Sequence, residues 1–576
     1  MREKRRHEDF ARMSRRFFMS AAGVGLMGAL AACSGGGGGA GAAASADPNR
    51  VMPPKGGPAR TPTDIPNLPE GFVGAPAYTP EPLVSGQSAT LRIAVPQSIS
   101  VGDWKANKFT QWFQDRTGVK VEWQTIPDGD DAQTKINALI ASNDLPEIIM
   151  GFYLDRSQVW TWAQQGIIVD MKPYLEDYGQ NGREALGISE DWTAAFAGPD
   201  GGIYSYPNVN ECYPCATQMN KMWVNQRYLD QVGMQRPESL DEFTEMLRAF
   251  KKQTPATKPL HFQDGEWPDA WASQSFMYNP GKPWITVQSG KVQAAFVQDG
   301  FRKTLAYLRS LVDEELLDPA TLNQSNDQLR RSVGAGQVGA AAVAWEGSLT
   351  SDPSRQREWI SLGPVAGPEG TRVAAWDYYV GLTFGQTIMT KACRSPELAV
   401  AWMDECLELE TTIRSSSGVK GTDWEWSKKG EFGQNGNQGL FTLTALSPEN
   451  GSTWAQANPG YRTSDFRDGM VYTKGQLPAD EQKKLWELNR SKYDPYKQPV
   501  DQQYPPTFID ATLAADIARA QVDLENEVNA AIDGFIRGRR DINGSSDWDD
   551  FVKKMDEMGL QNYLDMRQSV LDKRNG

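Results

Sequence analysis

Strands and helices alternate from Leu91 onward, the stretch from residue 88 to the end is long enough for two separate cores, and an unbroken apolar seam runs down a helix near the C-terminus. Together these observations predict an α/β fold in two lobes with a helix-rich C-terminal part. Leu91-Arg92-Ile93-Ala94-Val95 alternates as a strand does, and Phe109, Trp112 and Phe113 then recur at i, i+3 and i+4 along one helical face. Gly118 ends that helix, because it takes the left-handed cap without strain. Val119, Val121 and Trp123 form the next strand and complete a βαβ unit, whose crossover is right-handed. Ile136, Leu139 and Ile140 mark a second helix that stops near Asn143-Asp144-Leu145-Pro146 and leads into a buried strand at Ile148-Ile149-Met150.

Further along, Phe301, Leu305, Leu308 and Val312 make one helical stripe, and Ser395-Pro396 reads as an N-cap with proline at the first helical position. The C-terminal seam is Leu513, Ile517, Ala520, Leu524, Val528, Ala531 and Phe535, stepping by three or four. Packing against a lobe explains it more simply than a coiled-coil partner.

The first 32 residues read as a signal peptide. Ser14-Arg15-Arg16-Phe17-Phe18 is a twin-arginine pair ahead of an apolar run, Phe18 to Leu30, too short to span a membrane. Leu30-Ala31-Ala32-Cys33 resembles a lipobox, so the mature chain is expected to begin at a lipid-modified Cys33 on the outer face of the cytoplasmic membrane. Export through the twin-arginine or the general secretory route is left open. Residues 33–87 read as a tether: Ser34 to Ala46 is entirely Gly, Ala and Ser, and Pro48 to Pro82 is proline-rich without periodicity.

Removing residues 1–32 takes away seven Lys/Arg and three Asp/Glu and moves the formal charge from −14 to −18. So acidic a surface argues against nucleic acid or an anionic bilayer face as partner, leaving the N-terminal lipid as the membrane attachment. Cys212, Cys215, Cys393 and Cys406 remain in the body. Cys212-Tyr213-Pro214-Cys215 has redox spacing but lacks the strand-to-helix context, so one or two structural disulfides, with all four cysteines largely bonded, is the expectation. His261, flanked by Leu260 and Phe262, is the single histidine after residue 32 and reads as a packed side chain; no metal site and no cofactor are expected. Gly334-Ala335-Gly336 lacks the following Lys-Ser/Thr of a phosphate cradle and reads as a turn.

Several segments, in order, resemble family 1 extracellular solute-binding proteins, the lipid-anchored receptors of carbohydrate ABC importers. They are the Leu91 strand, Trp112-Phe113 with Thr117-Gly118-Val119, Lys135 through Ile149 with its Asp144-Leu145-Pro146-Glu147 core, and Gly166-Ile167-Ile168-Val169-Asp170-Met171. Leu316-Leu317-Asp318-Pro319, Gly334 through Ala340 leading to Trp345, Ser395 through Trp402, and Gly418 through Trp424 continue the likeness. The resemblance implies a periplasmic-binding-protein-like fold with an interlobe cleft, a first crossing between Asn208 and Trp223, a monomer, and a permease partner. It places lobe 1 at about 88–215 plus 355–440 and lobe 2 at about 216–354 plus 441–576.

Nineteen tryptophans point the same way. Sugars offer C–H faces that stack on aromatic rings and hydroxyl rims that need polar neighbours. Trp112, Trp123 and Trp402 sit on apolar faces and read as core. The candidates for the cleft are the aromatics beside polar groups: Trp345 with Glu346, Trp267 and Trp271, Trp376 with Asp377 and Tyr378, Trp424, and the Tyr204–Tyr206 pair. Asp128 joins them as a strand-end carboxylate that could hold ligand hydroxyls or calcium, against the plainer reading of an exposed acidic turn. Capture of a carbohydrate, an oligosaccharide by preference, with no catalytic residue is therefore expected. Two other readings compete: a surface glycan-cleaving enzyme, which would also use tryptophans beside carboxylates, and an adhesin-like lipoprotein, which would need no loop aromatics.

Overall fold

The structure, a computed structural model, describes residues 50–84, 88–127, 130–262, 268–444, 448–473 and 477–575. Cys33, Asp128 and Trp267 lie outside these residues.

Two cores organise the chain. The first lobe is built on a four-stranded sheet in the order Thr387–Met389, Ile148–Met150, Ala89–Gln97, Val119–Pro127. Ala89–Gln97 pairs in parallel with both neighbours, Ile93 lying opposite Trp123 and Ile148, while Thr387–Met389 runs antiparallel at the edge. The helix Lys108–Thr117 crosses between the first two strands. Asn107 caps it by accepting from the Phe109 amide at 2.9 Å, and Gly118 ends it at φ 72°. Its Phe109 and Phe113 pack edge-on against Trp454, and Phe113 also meets Trp402.

The second lobe carries a smaller sheet ordered Trp359–Leu362, Met222–Asn225, Ala340–Ala342, Leu260–Phe262. Leu240–Gln253, Asp299–Asp313 and the C-terminal helices Ala511–Ile536 and Leu560–Asn575 cover it. Ile517, Leu524, Val528, Ala531 and Phe535 of the long helix are all buried in this lobe's core, the role expected of the seam.

The first core draws on residues from Ile65 to Val209 and again from Phe384 to Phe508; the second on Met222 to Val365 and Ile517 to Leu571. The chain therefore passes between them at 209–222 and 365–384, and a third time along 472–517, where Phe508 touches the first core once more. Residues 355–365, expected in lobe 1, belong to lobe 2 because Trp359–Leu362 pairs with Met222–Asn225. Residues 441–472 move the other way, since Phe441, Trp454, Tyr461 and Phe466 fill the first core.

The tether is also shorter than expected. Arg60–Pro62 and Tyr78–Pro80 form an antiparallel hairpin, and Ile65, Ala75 and Leu83 are buried in the first lobe. Proline removes periodicity without preventing burial, so the stretch looks like a linker in sequence and packs as a strap. Ser395 takes part in the same contact: its hydroxyl accepts from the Val51 amide at 2.9 Å and makes no helix-capping bond.

Candidate ligand-binding cleft

The passages between the lobes meet around Trp376. Its ring lies edge-on to Tyr213 at 5.3 Å, within a small cluster with Ala216, Ala374 and Tyr493. Two glutamines of the third passage hold the second in place. Gln498 accepts from the Trp376 amide at 2.8 Å and donates to its carbonyl at 2.7 Å. Gln503 accepts from the Tyr378 amide and donates to Asp377, both at 2.8 Å. Cys212 and Cys215 are disulfide-bonded at the start of the first passage. Between these segments and the second lobe lies a cavity of about 350 Å³, lined by Trp376, Asp377, Cys215, Tyr278, Lys282, Gln503, Tyr504 and Arg567 among others. Burial lowers the affinity of the Lys282 ammonium for its proton and raises the Tyr278 phenol, both by desolvating the charged form.

Each lobe also presents polar loops beyond its strand ends, where open α/β sheets bind ligands. On the second lobe Trp345 follows the Ala340–Ala342 strand with its ring half-exposed and laid over Gly347 so closely that a Cβ there would collide with it. Glu346 beside it is buried. On the first lobe Gly151 follows Ile148–Met150 at φ 90°, packed on Pro96 and Ala457. Tyr153, Ala455 and Gln456 all have left-handed backbones, at φ 49°, 48° and 63°. They are brought together by Gln386, which donates to the Gln456 carbonyl at 2.6 Å and to the Tyr153 hydroxyl at 3.3 Å. Asn210 donates its side-chain Nδ2 to the Gln456 side-chain Oε1 at 3.4 Å. Non-glycine residues in that conformation cost energy and gather at functional loops. Tyr153, Asn210, Gln386 and Gln456 carry no motif or periodicity in the sequence; the glycine directly after a buried strand is the available signal.

The remaining sequence candidates are structural. Trp271 is 2% exposed and packs on Phe243 at 4.8 Å. Trp424 is fully buried, donating its indole N–H to the Gly418 carbonyl at 3.1 Å. Tyr206 is fully buried with its hydroxyl on Asp404 at 2.8 Å. Tyr204 is buried against Trp160 and donates to Asp200 at 2.6 Å. Adjacency of tryptophan and carboxylate in sequence fails here because Trp424 sits in a short strand and Trp271 in a short helix, not in loops. Cys393 and Cys406 are free thiols, contrary to expectation; Cys406 is buried in the first core and packs as a small hydrophobe. His261 is buried, as expected, with Gln324 at 3.3 Å from Nδ1.

Residues 96–412 match the bacterial extracellular solute-binding protein family. The chain belongs to that family. Among solute-binding relatives, the fructooligosaccharide ABC transporter substrate-binding protein FusA of Streptococcus pneumoniae is 22% identical over 515 residues, which cover 84% of this chain and 90% of the relative. The structure of FusA with kestose aligns at a TM-score of 0.68, covering 84% of this chain and 99% of that one. An HMO-binding, ABC-transporter-associated solute-binding protein from Bifidobacterium longum infantis aligns equally well, at 0.68 and 15% identity over 85% of this chain and 99% of its own. Lipoprotein LipO of Bacillus subtilis is 22% identical over 362 residues, 59% of this chain and 68% of the relative. The structural likeness establishes a two-lobe solute-binding fold.

Proposed function

We propose that this solute-binding protein is the receptor of an ABC importer and captures an oligosaccharide between its lobes, releasing it unaltered to a permease. The observation that carries this reading is the placement of Trp345: a half-exposed ring at a strand end, held from behind by Gly347 and flanked by Glu346. Such a ring offers one face to a sugar at little entropic cost. Trp376, Asp377 and Tyr378 contribute from the passages, and Tyr153, Asn210, Gln386 and Gln456 supply hydroxyl-binding groups from the first lobe. The name of FusA supports an oligosaccharide as the solute.

Ligand touching both lobes binds the closed arrangement more tightly than the open one and so shifts the population toward closure, the state a permease would read. Cys33 carries the lipid in this reading, after cleavage of a twin-arginine type signal peptide, and the protein acts as a monomer on the outer face of the membrane. The lipoprotein relative supports the anchor. The strap from residue 50 onward then leaves only residues 33–49 as leash, and ties that leash to the first lobe.

A thermal-shift screen of the full chain against mono- and oligosaccharides tests the reading. A sugar at a hundred times its dissociation constant adds about 2.7 kcal/mol of stability, and chromatography afterwards should return it intact. Hydrolysis or elimination of the sugar, abolished by one Asp or Glu substitution, would establish an enzyme instead.

A further inference from the structure

We propose that the cavity beside Trp376 receives a sugar residue bearing a carboxylate, with Arg567 and Lys282 directed to that carboxylate; this rests on reading the cleft as a sugar-binding site. The chain as a whole is strongly acidic, at a formal −14, yet two cations line this one cavity. Arg567 spends its visible hydrogen bonds on neutral partners. Its Nε donates to the Tyr563 hydroxyl at 3.1 Å and its Nη2 to the Gln521 side-chain oxygen, and among the described residues no carboxylate lies within ion-pair distance of it. The guanidinium also lies over the Tyr504 and Tyr563 rings, at 5.6 and 5.4 Å from their centroids. Half-buried Lys282 faces the same space, its ammonium 5.6 Å from the Trp284 ring centroid.

Three protein carboxylates lie near this charge, and one of them, Asp269, acts on Lys282 but is fully buried and accepts from Asn279 at 3.1 Å and from the Trp284 indole at 3.0 Å. Asp377 lines the cavity but already accepts from Gln503 and from the Tyr379 amide at 2.9 Å. Glu525 influences both cations, accepts from Gln521 at 2.8 Å, and is pushed by burial toward its neutral form. Among the described residues the cavity lining thus includes Arg567 and Lys282 and one carboxylate, Asp377, that already accepts two hydrogen bonds. A planar guanidinium recognises a carboxylate through charge-assisted bonds, which a neutral hydroxyl cannot match. The volume of about 350 Å³ suits a single sugar residue and not a long chain, so the acidic residue would occupy one subsite of a longer ligand.

Titration calorimetry of the full chain with trigalacturonate and with kestose, an uncharged trisaccharide, separates the possibilities. Trigalacturonate is expected to bind more tightly, with affinity falling as salt rises. Arg567→Gln and Lys282→Met should each weaken it by about tenfold to a hundredfold while changing kestose binding little. Because Arg567 also contacts Tyr563 and Gln521, the unligated melting temperature of each variant reports folding, and Lys282→Met stands as the independent test. Binding of kestose without trigalacturonate overturns the acidic-sugar inference and leaves the oligosaccharide receptor intact. Trigalacturonate binding untouched by both substitutions overturns the location. If neither sugar binds and the wider panel is also silent, the receptor reading falls and the inference with it.

Discussion

Tyr78 donates its hydroxyl to Glu405 at 3.0 Å, joining residues 327 positions apart. Beside it Arg60 reaches Asp404 at 2.8 Å, and Asp404 also accepts from Tyr206 and from the Gly182 amide at 2.9 Å. Arg116, from the first βαβ helix, adds a contact to Glu408 at 3.2 Å. The hairpin at 60–80 is therefore a working part of the first lobe, fastened through buried carboxylates.

Arg60→Met should destabilise the first lobe by about 3–5 kcal/mol, because it strands carboxylates that are out of water. Tyr78→Phe, which removes one hydrogen bond, should cost about 1 kcal/mol. Urea unfolding followed by tryptophan fluorescence measures both; equal midpoints for Arg60→Met and the native chain would show that the hairpin contributes nothing.

Burial raises the Glu405 carboxyl to about 7, outweighing Arg116 and Arg60 nearby, from an unfolded value of about 4.3. An acid whose pKa rises on folding binds more protons in the native state, so its contribution to stability falls as pH climbs from about 4.3 to about 7. Asp404 and Glu408 are shifted the same way by burial. Glu405→Gln should flatten part of that decline. Melting temperatures from pH 4 to pH 8 test it, and an unchanged slope in the variant would contradict the assignment.

Trp345 and Trp271 should behave oppositely. Trp345→Ala is expected to weaken sugar binding by about 1–3 kcal/mol with the fold intact, whereas Trp271→Ala should cost about 3–5 kcal/mol of stability through the cavity it leaves beside Phe243. Gly347→Ala should resemble the Trp345 variant, since the ring must shift to admit a methyl group. Parallel binding and melting measurements distinguish these cases, and a Trp345 variant that melts early but binds normally would reverse the roles.

Alkylation before and after denaturation, without reductant, should label neither Cys212 nor Cys215, and Cys406 only once the chain is unfolded. Mass mapping reads this directly. A disulfide involving Cys393 or Cys406 would show that the first core rearranges on oxidation.

Much of the first lobe was legible because its signals are local. Asn107 and Gly118 cap one helix, and Ile93 and Val121 alternate within long strands. The lobe boundaries were harder, since the strand Trp359–Leu362 is four residues long and declares itself only by pairing with Met222–Asn225. Of the proposed site, the Trp345 and Trp376 neighbourhoods stand out in the sequence as aromatics beside carboxylates. The same signal misled at Trp271, Trp424 and Tyr206, because burial is set by what the tertiary fold brings alongside. Gln386 and Gln456 carry no signal in the sequence; only the fold brings them together, through the bond from Gln386 to the Gln456 carbonyl.

Neither core is contiguous, and that has a temporal meaning. The first lobe holds all its buried core residues but Phe508 by Phe466, whereas the second lacks everything from Ile517 to Leu571, so a chain emerging from the ribosome can finish the second lobe only when it is almost entirely synthesised. Sequence-distant closure of this kind is slow, and it leaves apolar surface waiting for its partners. A chain halted near residue 470 should therefore be protease-sensitive in its second lobe, which lacks Ile517 to Leu571, and better protected in its first.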